Sequence, residues 1–302
     1  MHLNTIKNLG LLIVIGSLAF VAFRVWEVFP EIQLRKLDLT EGLFIFLIVC
    51  AYAFAVFFVS LAWQKLLFCM GEPMATFRVC QSVYSRSVIA KYVPLGVLEY
   101  AGRHVMAAKY GFSQAVVASA NLWEIMCQVI AACVFILFAW FLYGNMQQSI
   151  SVNFIFSISL IFIISAFGFN NVIKRIPFLA NRIKVPSLKF SDVLTPMAFY
   201  TVFFMILGAI LIAVISMVTR FLTIDEILTV LILSTFAWLL GYITPGAPAG
   251  LGVREAVLFF GLTEMIGEPG SLLVIGIFRM ITVAGDLFYF IFGYCLSCIN
   301  ES

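Results

Sequence analysis

Charge is what this chain has least of. Only 11% of its 302 residues are charged, 63% are hydrophobic, and the mean hydropathy is +1.10. Soluble domains carry about a quarter charged residues, so a water-exposed globule is excluded and a polytopic membrane protein is expected. Histidine is also scarce: His2 and His104 are too few and too far apart for a metal site. There is no GxxxxGK[ST], no HExxH, no paired-aspartate metal motif and no GxSxG with triad partners, so ATP hydrolysis, zinc chemistry and serine hydrolysis have no support. No metal, cofactor or nucleic-acid partner is expected. The seven cysteines lie mostly in apolar stretches, and the CxxC of Cys295 and Cys298 reads, inside a helix, as packing or lipid-facing thiols.

What the chain has in abundance is long apolar runs. Those able to cross about 30 Å of hydrocarbon lie at 8–26, 42–63, 112–141, 152–169, 195–218 and 271–296, which predicts six spans. The first follows only Lys7 and lacks a small-residue cleavage site, so it reads as a retained helix rather than a signal peptide. Both ends are short tails, and no soluble domain is expected. Lysine and arginine crowd the segment between the second and third spans (Lys65, Arg78, Arg86, Lys91, Arg103, Lys109) and the loop 170–194, which places both in the cytoplasm. The acidic stretches 27–41 and 219–269 are expected outside.

Two interrupted segments remain. Tyr242-Ile-Thr-Pro245-Gly246-Ala-Pro-Ala-Gly250-Leu-Gly252-Val-Arg254-Glu255 is a proline- and glycine-rich break between apolar runs, and Lys91-Tyr92-Val-Pro94-Leu-Gly96-Val-Leu-Glu99-Tyr-Ala-Gly-Arg103 has the same design. Pro94 and Arg103 superpose on Pro245 and Arg254 at a single shift of 151 residues. The charge pattern requires the first break to enter and leave from the cytoplasm and the second from outside. The expected fold is therefore all-α: six transmembrane helices plus two re-entrant helical hairpins in an inverted-topology repeat, with repeats at 1–151 and 152–302 and both termini cytoplasmic. A rival parse makes Ile227 to Tyr242 a full span and leaves the C-terminus outside.

Irregular backbone at membrane depth is tolerated where it is buried in protein or lines a wet cavity, so each break reads as a binding site. A half-helix restarting after a break presents free amides to an anion, and an arginine fork suits phosphate or phosphodiester. Arg103 and Arg254 are the substrate-binding pair, because a charge serving only topology has no reason to recur on the opposite side. Arg86, Lys91 and Tyr92 join them, with topogenic or interfacial roles as the alternative. Glu99 and Glu255 are expected to orient the arginines or cap the half-helices. Pro94, Gly96, Pro245, Gly246, Gly250 and Gly252 read as backbone turns first and ligand contacts second. Deeper in the membrane, Asn121, Glu124 and Gln128 share one helix face, and Arg279, Thr282 and Asp286 repeat that spacing. They read either as a coupling stripe, with Glu124 or Asp286 carrying protons, or as a structural ion pair such as Glu124 with Arg279.

The Gly-Leu-Gly-Val-Arg-Glu core at 250–255, Ser-Arg-Ser-Val-Ile-Ala-Lys-Tyr-Val-Pro at 85–94 and the arginine and aspartate of the last span resemble the lysylphosphatidylglycerol synthase transmembrane-region family. That family includes the flippase half of the multiple peptide resistance factors. The resemblance implies translocation of a lipid with an anionic headgroup, a phospholipid or a polyprenyl-phosphate-linked sugar, across a prokaryotic inner membrane. The aminoacyl-transferring domain of the long members is absent, so synthase activity is not carried over. Ala249 and Leu95 stand where many relatives have glycine. The alternatives are a group-transfer enzyme acting on a lipid phosphate, with Glu255 or Glu99 as base, and a scaffold of an envelope or glycan-assembly complex. Expected partners are the membrane lipid, lipid- or glycan-modifying enzymes, and a second copy of the chain through small-residue faces such as Gly276 to Gly285.

Overall fold

A computed structural model describes residues 39–92, 98–143, 188–244 and 247–301. The spans expected at 8–26 and 152–169 lie outside the described residues, as do Pro94, Gly96, Pro245 and Gly246. Among the described residues there are seven α-helices and no strand: α1 (Leu39–Cys69), α2 (Phe77–Val88), α3 (Leu98–Lys109), α4 (Gln114–Tyr143), α5 (Phe190–Val218), α6 (Ile224–Ile243) and α7 (Val253–Glu301). Short 3-10 turns at Ile89–Tyr92 and Pro248–Gly250 mark the two breaks. Five segments are long and apolar enough to cross a membrane: Leu39–Cys69, Gln114–Leu142, Ser191–Val218, Ile224–Ile243 and Pro248–Leu296. This is a multi-pass helical membrane protein. α6 is a continuous 20-residue helix, the form the rival parse requires of a full span.

The helix ends follow from local chemistry. α1 stops at Gly71 (φ 81), where the Glu72 amide donates to Leu67 O and the Gly71 amide to Phe68 O. α3 stops the same way at Gly111 (φ 77), and this paired C-terminal pattern needs the left-handed conformation that glycine adopts freely. Thr223 and Glu226 close a capping box at the start of α6. Its other end is Thr244, extended at φ −74 and ψ 113, as the residue before a proline must be. α7 is broken at Gly267 (φ 74, ψ 167), two residues before Pro269, so it acts as two limbs.

The element order repeats along the chain. Adding 151 to the limits of α1 gives 190–220, where α5 lies, and adding it to α2 gives 228–239, inside α6. α3 and α4 map in the same way onto the limbs of α7 before and after Gly267.

The chain forms two compact units. One takes residues 39–53, 91–92, 98, 205–244 and 247–288; the other takes 54–90, 99–143, 188–204 and 289–301. In the first, Gly208 and Gly261 face Leu231 and Leu233 of α6, and a Cβ on Gly285 would lie 2.5 Å from Cδ1 of Tyr52. In the second, Gly293 meets Ser85 so closely that no larger residue fits, and Trp63, Leu66, Tyr200, Phe204 and Tyr289 form the dry centre. Backbones that touch without intervening side chains gain dispersion contacts, the main source of helix association where lipid is as apolar as leucine.

Candidate functional site

Each unit holds one arginine of the expected pair, in a different electrostatic condition. In the second unit Arg103, on α3, is 1% exposed. Its guanidinium bonds Glu124 and Glu99, and its Nε donates to Ser87 Oγ at 3.2 Å. The Tyr84 ring lies 3.9 Å from the guanidinium carbon, with Tyr100 at 5.1 Å and Trp63 at 5.7 Å. Glu124 is equally buried, and its other oxygen accepts from Tyr84 OH at 2.7 Å and Gln128 Nε2 at 3.2 Å. Asn121 accepts from Trp63 Nε1 at 2.9 Å. Arg103 thus has its donors occupied by carboxylates and its faces by aromatic rings. The expected role for Glu99, orienting the arginine, holds. The expected pairing of Glu124 with Arg279 does not: Glu124 takes Arg103 of α3, 21 residues earlier in the chain, and Arg279 takes a different acid. Arg86 lies over the Tyr294 ring at 5.7 Å.

In the first unit Arg254 occupies the second residue of α7 and has no carboxylate partner among the described residues. Its guanidinium carbon lies 5.7 Å from the Trp238 ring centre, and its buried Nε has no hydrogen-bond partner. The side chain passes over two glycines: a Cβ on Gly241 would come within 2.6 Å of Arg254 Cγ, and one on Gly250 (φ 71) within 2.5 Å of Nε. Gly250 therefore serves both a turn and a close approach, while Gly252 (φ 82) serves a turn, and its amide donates to Glu255 Oε2 at 2.7 Å. That bond caps the start of α7. The other oxygen of Glu255 lies 3.3 Å from Arg279 Nε, while Arg279 Nη1 donates to Ala249 O at 3.4 Å. Glu255 fulfils the capping expectation, but it orients Arg279 rather than Arg254. Arg279 Nη2 is buried without a partner.

Arg254, Glu255, Arg279 and Thr282 border a pocket whose remaining wall is apolar apart from Ser234, with Trp238, Leu258 and Phe278 among its lining. Beside Arg279, whose guanidinium lies 5.9 Å from the Tyr92 ring, Asp286 Oδ2 accepts from Tyr92 OH at 2.5 Å and from Lys91 Nζ at 2.7 Å. Asp286 is 1% exposed and its Oδ1 has no partner among the described residues. Lys91, Tyr92, Gly250, Gly252, Arg254, Glu255, Arg279 and Asp286 are thus brought together in one unit. Glu99, Arg103, Asn121, Glu124 and Gln128 come together in the other.

Sequence reasoning missed the aromatic faces. Trp238 precedes Arg254 by sixteen residues and Ser87 precedes Arg103 by sixteen, so the same register that exposed the arginines also marked what each packs against. No group of three or more His, Cys, Asp or Glu positioned for a metal occurs among the described residues.

A family model described as the lysylphosphatidylglycerol synthase TM region matches residues 8–293. No curated protein and no solved structure matches the chain.

Proposed function

The chain belongs to the lysylphosphatidylglycerol synthase TM region family, and from that premise we propose that it is a flippase carrying an anionic-headgroup lipid across a prokaryotic inner membrane. The observation that carries the reading is the half-basic, half-apolar pocket of the first unit. Two guanidinium groups there keep unpartnered donors, Arg254 Nε and Arg279 Nη2, next to a wall of Trp238, Leu258 and Phe278. Buried donors left unpaired are costly, and a phosphate oxygen is the acceptor that a guanidinium fork fits best. The apolar wall suits the first carbons of a lipid chain.

Six spans and two re-entrant hairpins of opposite orientation give such a carrier one break facing each side of the membrane. The matching limits of α1 with α5 and of α2 with α6 favour that arrangement. Glu255 is held at both oxygens, by the Gly252 amide and by Arg279, which favours binding over a role as general base. Of the two acids deep in the spans, Asp286 keeps an oxygen without a partner among the described residues while Glu124 has both engaged, so Asp286 is the proton carrier if transport is ion-coupled.

The test is reconstitution into liposomes with labelled phospholipid and polyprenyl-phosphate sugar in one leaflet. Faster appearance in the other leaflet than in empty vesicles, abolished by Arg254→Ala, is expected. Movement no faster than in empty vesicles for any of these lipids sinks the proposal.

A further inference from the structure

The charge of the pocket specifies the charge of its ligand. Among the described residues Lys91, Arg254 and Arg279 supply three positive charges to this cluster, and Glu255 and Asp286 supply two negative ones, leaving one positive charge uncompensated. Lys91 and Asp286 neutralise each other directly at 2.7 Å. Glu255 neutralises Arg279 across 3.3 Å. The remaining charge therefore sits on Arg254, which touches no carboxylate among the described residues and whose buried Nε has no hydrogen-bond partner among them. Arg254 also cannot swing far, because its stem rests on Gly241 and Gly250 and its guanidinium on Trp238.

In a low-dielectric site any leftover charge, of either sign, is penalised by lost hydration. A ligand with one negative charge brings the cluster to neutrality. One with two or more leaves an excess of negative charge beside Glu255 and Asp286. We infer that the pocket is selective for a phosphodiester, a single-charged phosphate bearing two ester substituents, and discriminates against lipid phosphomonoesters and diphosphates. The inference rests on the transport reading and narrows it: glycerophospholipids and lipid-phosphate sugars linked through one phosphate qualify, and diphosphate-linked carriers do not. The apolar wall on Leu258, Phe278 and Trp238 requires the diester to be a lipid rather than a free headgroup.

The experiment measures binding rather than transport. The full chain in dodecyl maltoside micelles free of phospholipid at pH 7.5 is titrated with short-chain phosphatidylglycerol, a polyprenyl diphosphate, diacylglycerol and glycerophosphoglycerol, with bound ligand counted by native mass spectrometry. Phosphatidylglycerol is expected to bind about tenfold tighter than the diphosphate, a difference readable in such titrations. Glu255→Gln, which keeps the shape and adds one positive charge to the pocket, should erase or reverse that preference. Arg279→Gln, which removes one positive charge, should weaken phosphatidylglycerol about tenfold and leave diacylglycerol unchanged. A wild-type preference for the diphosphate, or the same preference in both variants, overturns the inference while the anion pocket stands. Phosphate lipids binding no better than diacylglycerol overturn the inference and the transport reading together. Glycerophosphoglycerol binding as tightly as the lipid overturns the requirement for a chain.

Discussion

Arg103 and Glu124 form an ion pair in which neither side chain is more than 1% exposed, and the arginine 151 residues later, Arg254, has no carboxylate partner among the described residues. The sequence explains the difference: Ile275 stands 151 residues after Glu124, and Gly250 stands 151 after Glu99. The first of these arginines has its counterions close by in the fold, and the second has none among the described residues.

The two arginines should therefore fail in different ways. Removing one partner of a buried pair leaves an uncompensated charge and costs about 3–5 kcal/mol. Arg103→Ala and Glu124→Ala are expected to lower the detergent melting temperature and the yield of folded protein, and the double change Arg103→Met with Glu124→Leu should recover much of the loss. Arg254→Ala should leave melting and yield close to wild type while lipid movement falls severely, with Arg254→Lys restoring only part because an ammonium lacks the planar fork. Arg254→Ala melting as low as Arg103→Ala would show that both arginines are structural.

The glycine cradle predicts a positional effect. A methyl group at Gly241 would sit 2.6 Å from Arg254 Cγ, so Gly241→Ala must push the arginine out of the pocket. Lipid movement should drop as far as in Arg254→Ala with little change in folded yield. Gly276→Ala, where an added Cβ meets nothing within 4 Å, is the control and should behave as wild type.

Ala249 is the single non-glycine residue with positive φ among the described residues, at φ 50 and ψ 25. Left-handed backbone costs an alanine about 1–2 kcal/mol, part of which glycine gives back through its freer unfolded chain. Ala249→Gly is thus expected to stabilise by up to about 1 kcal/mol in an unfolding titration, since the carbonyl that accepts from Arg279 belongs to the backbone and is kept. Destabilisation would mean the methyl group packs against the pocket.

The proposed opposite orientation of the breaks is tested by labelling. Leu98→Cys and Ala249→Cys, each in a background lacking the seven native cysteines, should react with an impermeant maleimide from opposite sides of the membrane, cytoplasmic for 98 and external for 249. Reaction of both from one side refutes the inverted repeat and the two-sided carrier built on it.

Much of this protein was legible in its sequence because a bilayer leaves few choices. Every backbone amide in hydrocarbon must be bonded internally, so long apolar runs become helices, and α1, α4 and α5 lie where the runs at 42–63, 112–141 and 195–218 predict. Proline and glycine act through local geometry, which is why the breaks and the caps at Gly71, Gly111 and Thr223 answer to nearby residues alone. The register of 151 was readable too, since it needs only identity at two pairs of positions.

Partnership was decided by tertiary structure. Helical periodicity places Glu124 and Arg279 on polar faces but is silent on what those faces meet, and a pairing energy that depends on ångström separations cannot follow from spacing. Packing within one unit brings α3 against α4 and gives Arg103 to Glu124; packing within the other brings Lys91 and Tyr92 to Asp286, across 194 residues of sequence for the tyrosine. The sequence by itself determined how many strong charges lie in the membrane and near which breaks. Only the fold determined which of them neutralise one another, and so which arginine has no carboxylate partner among the described residues.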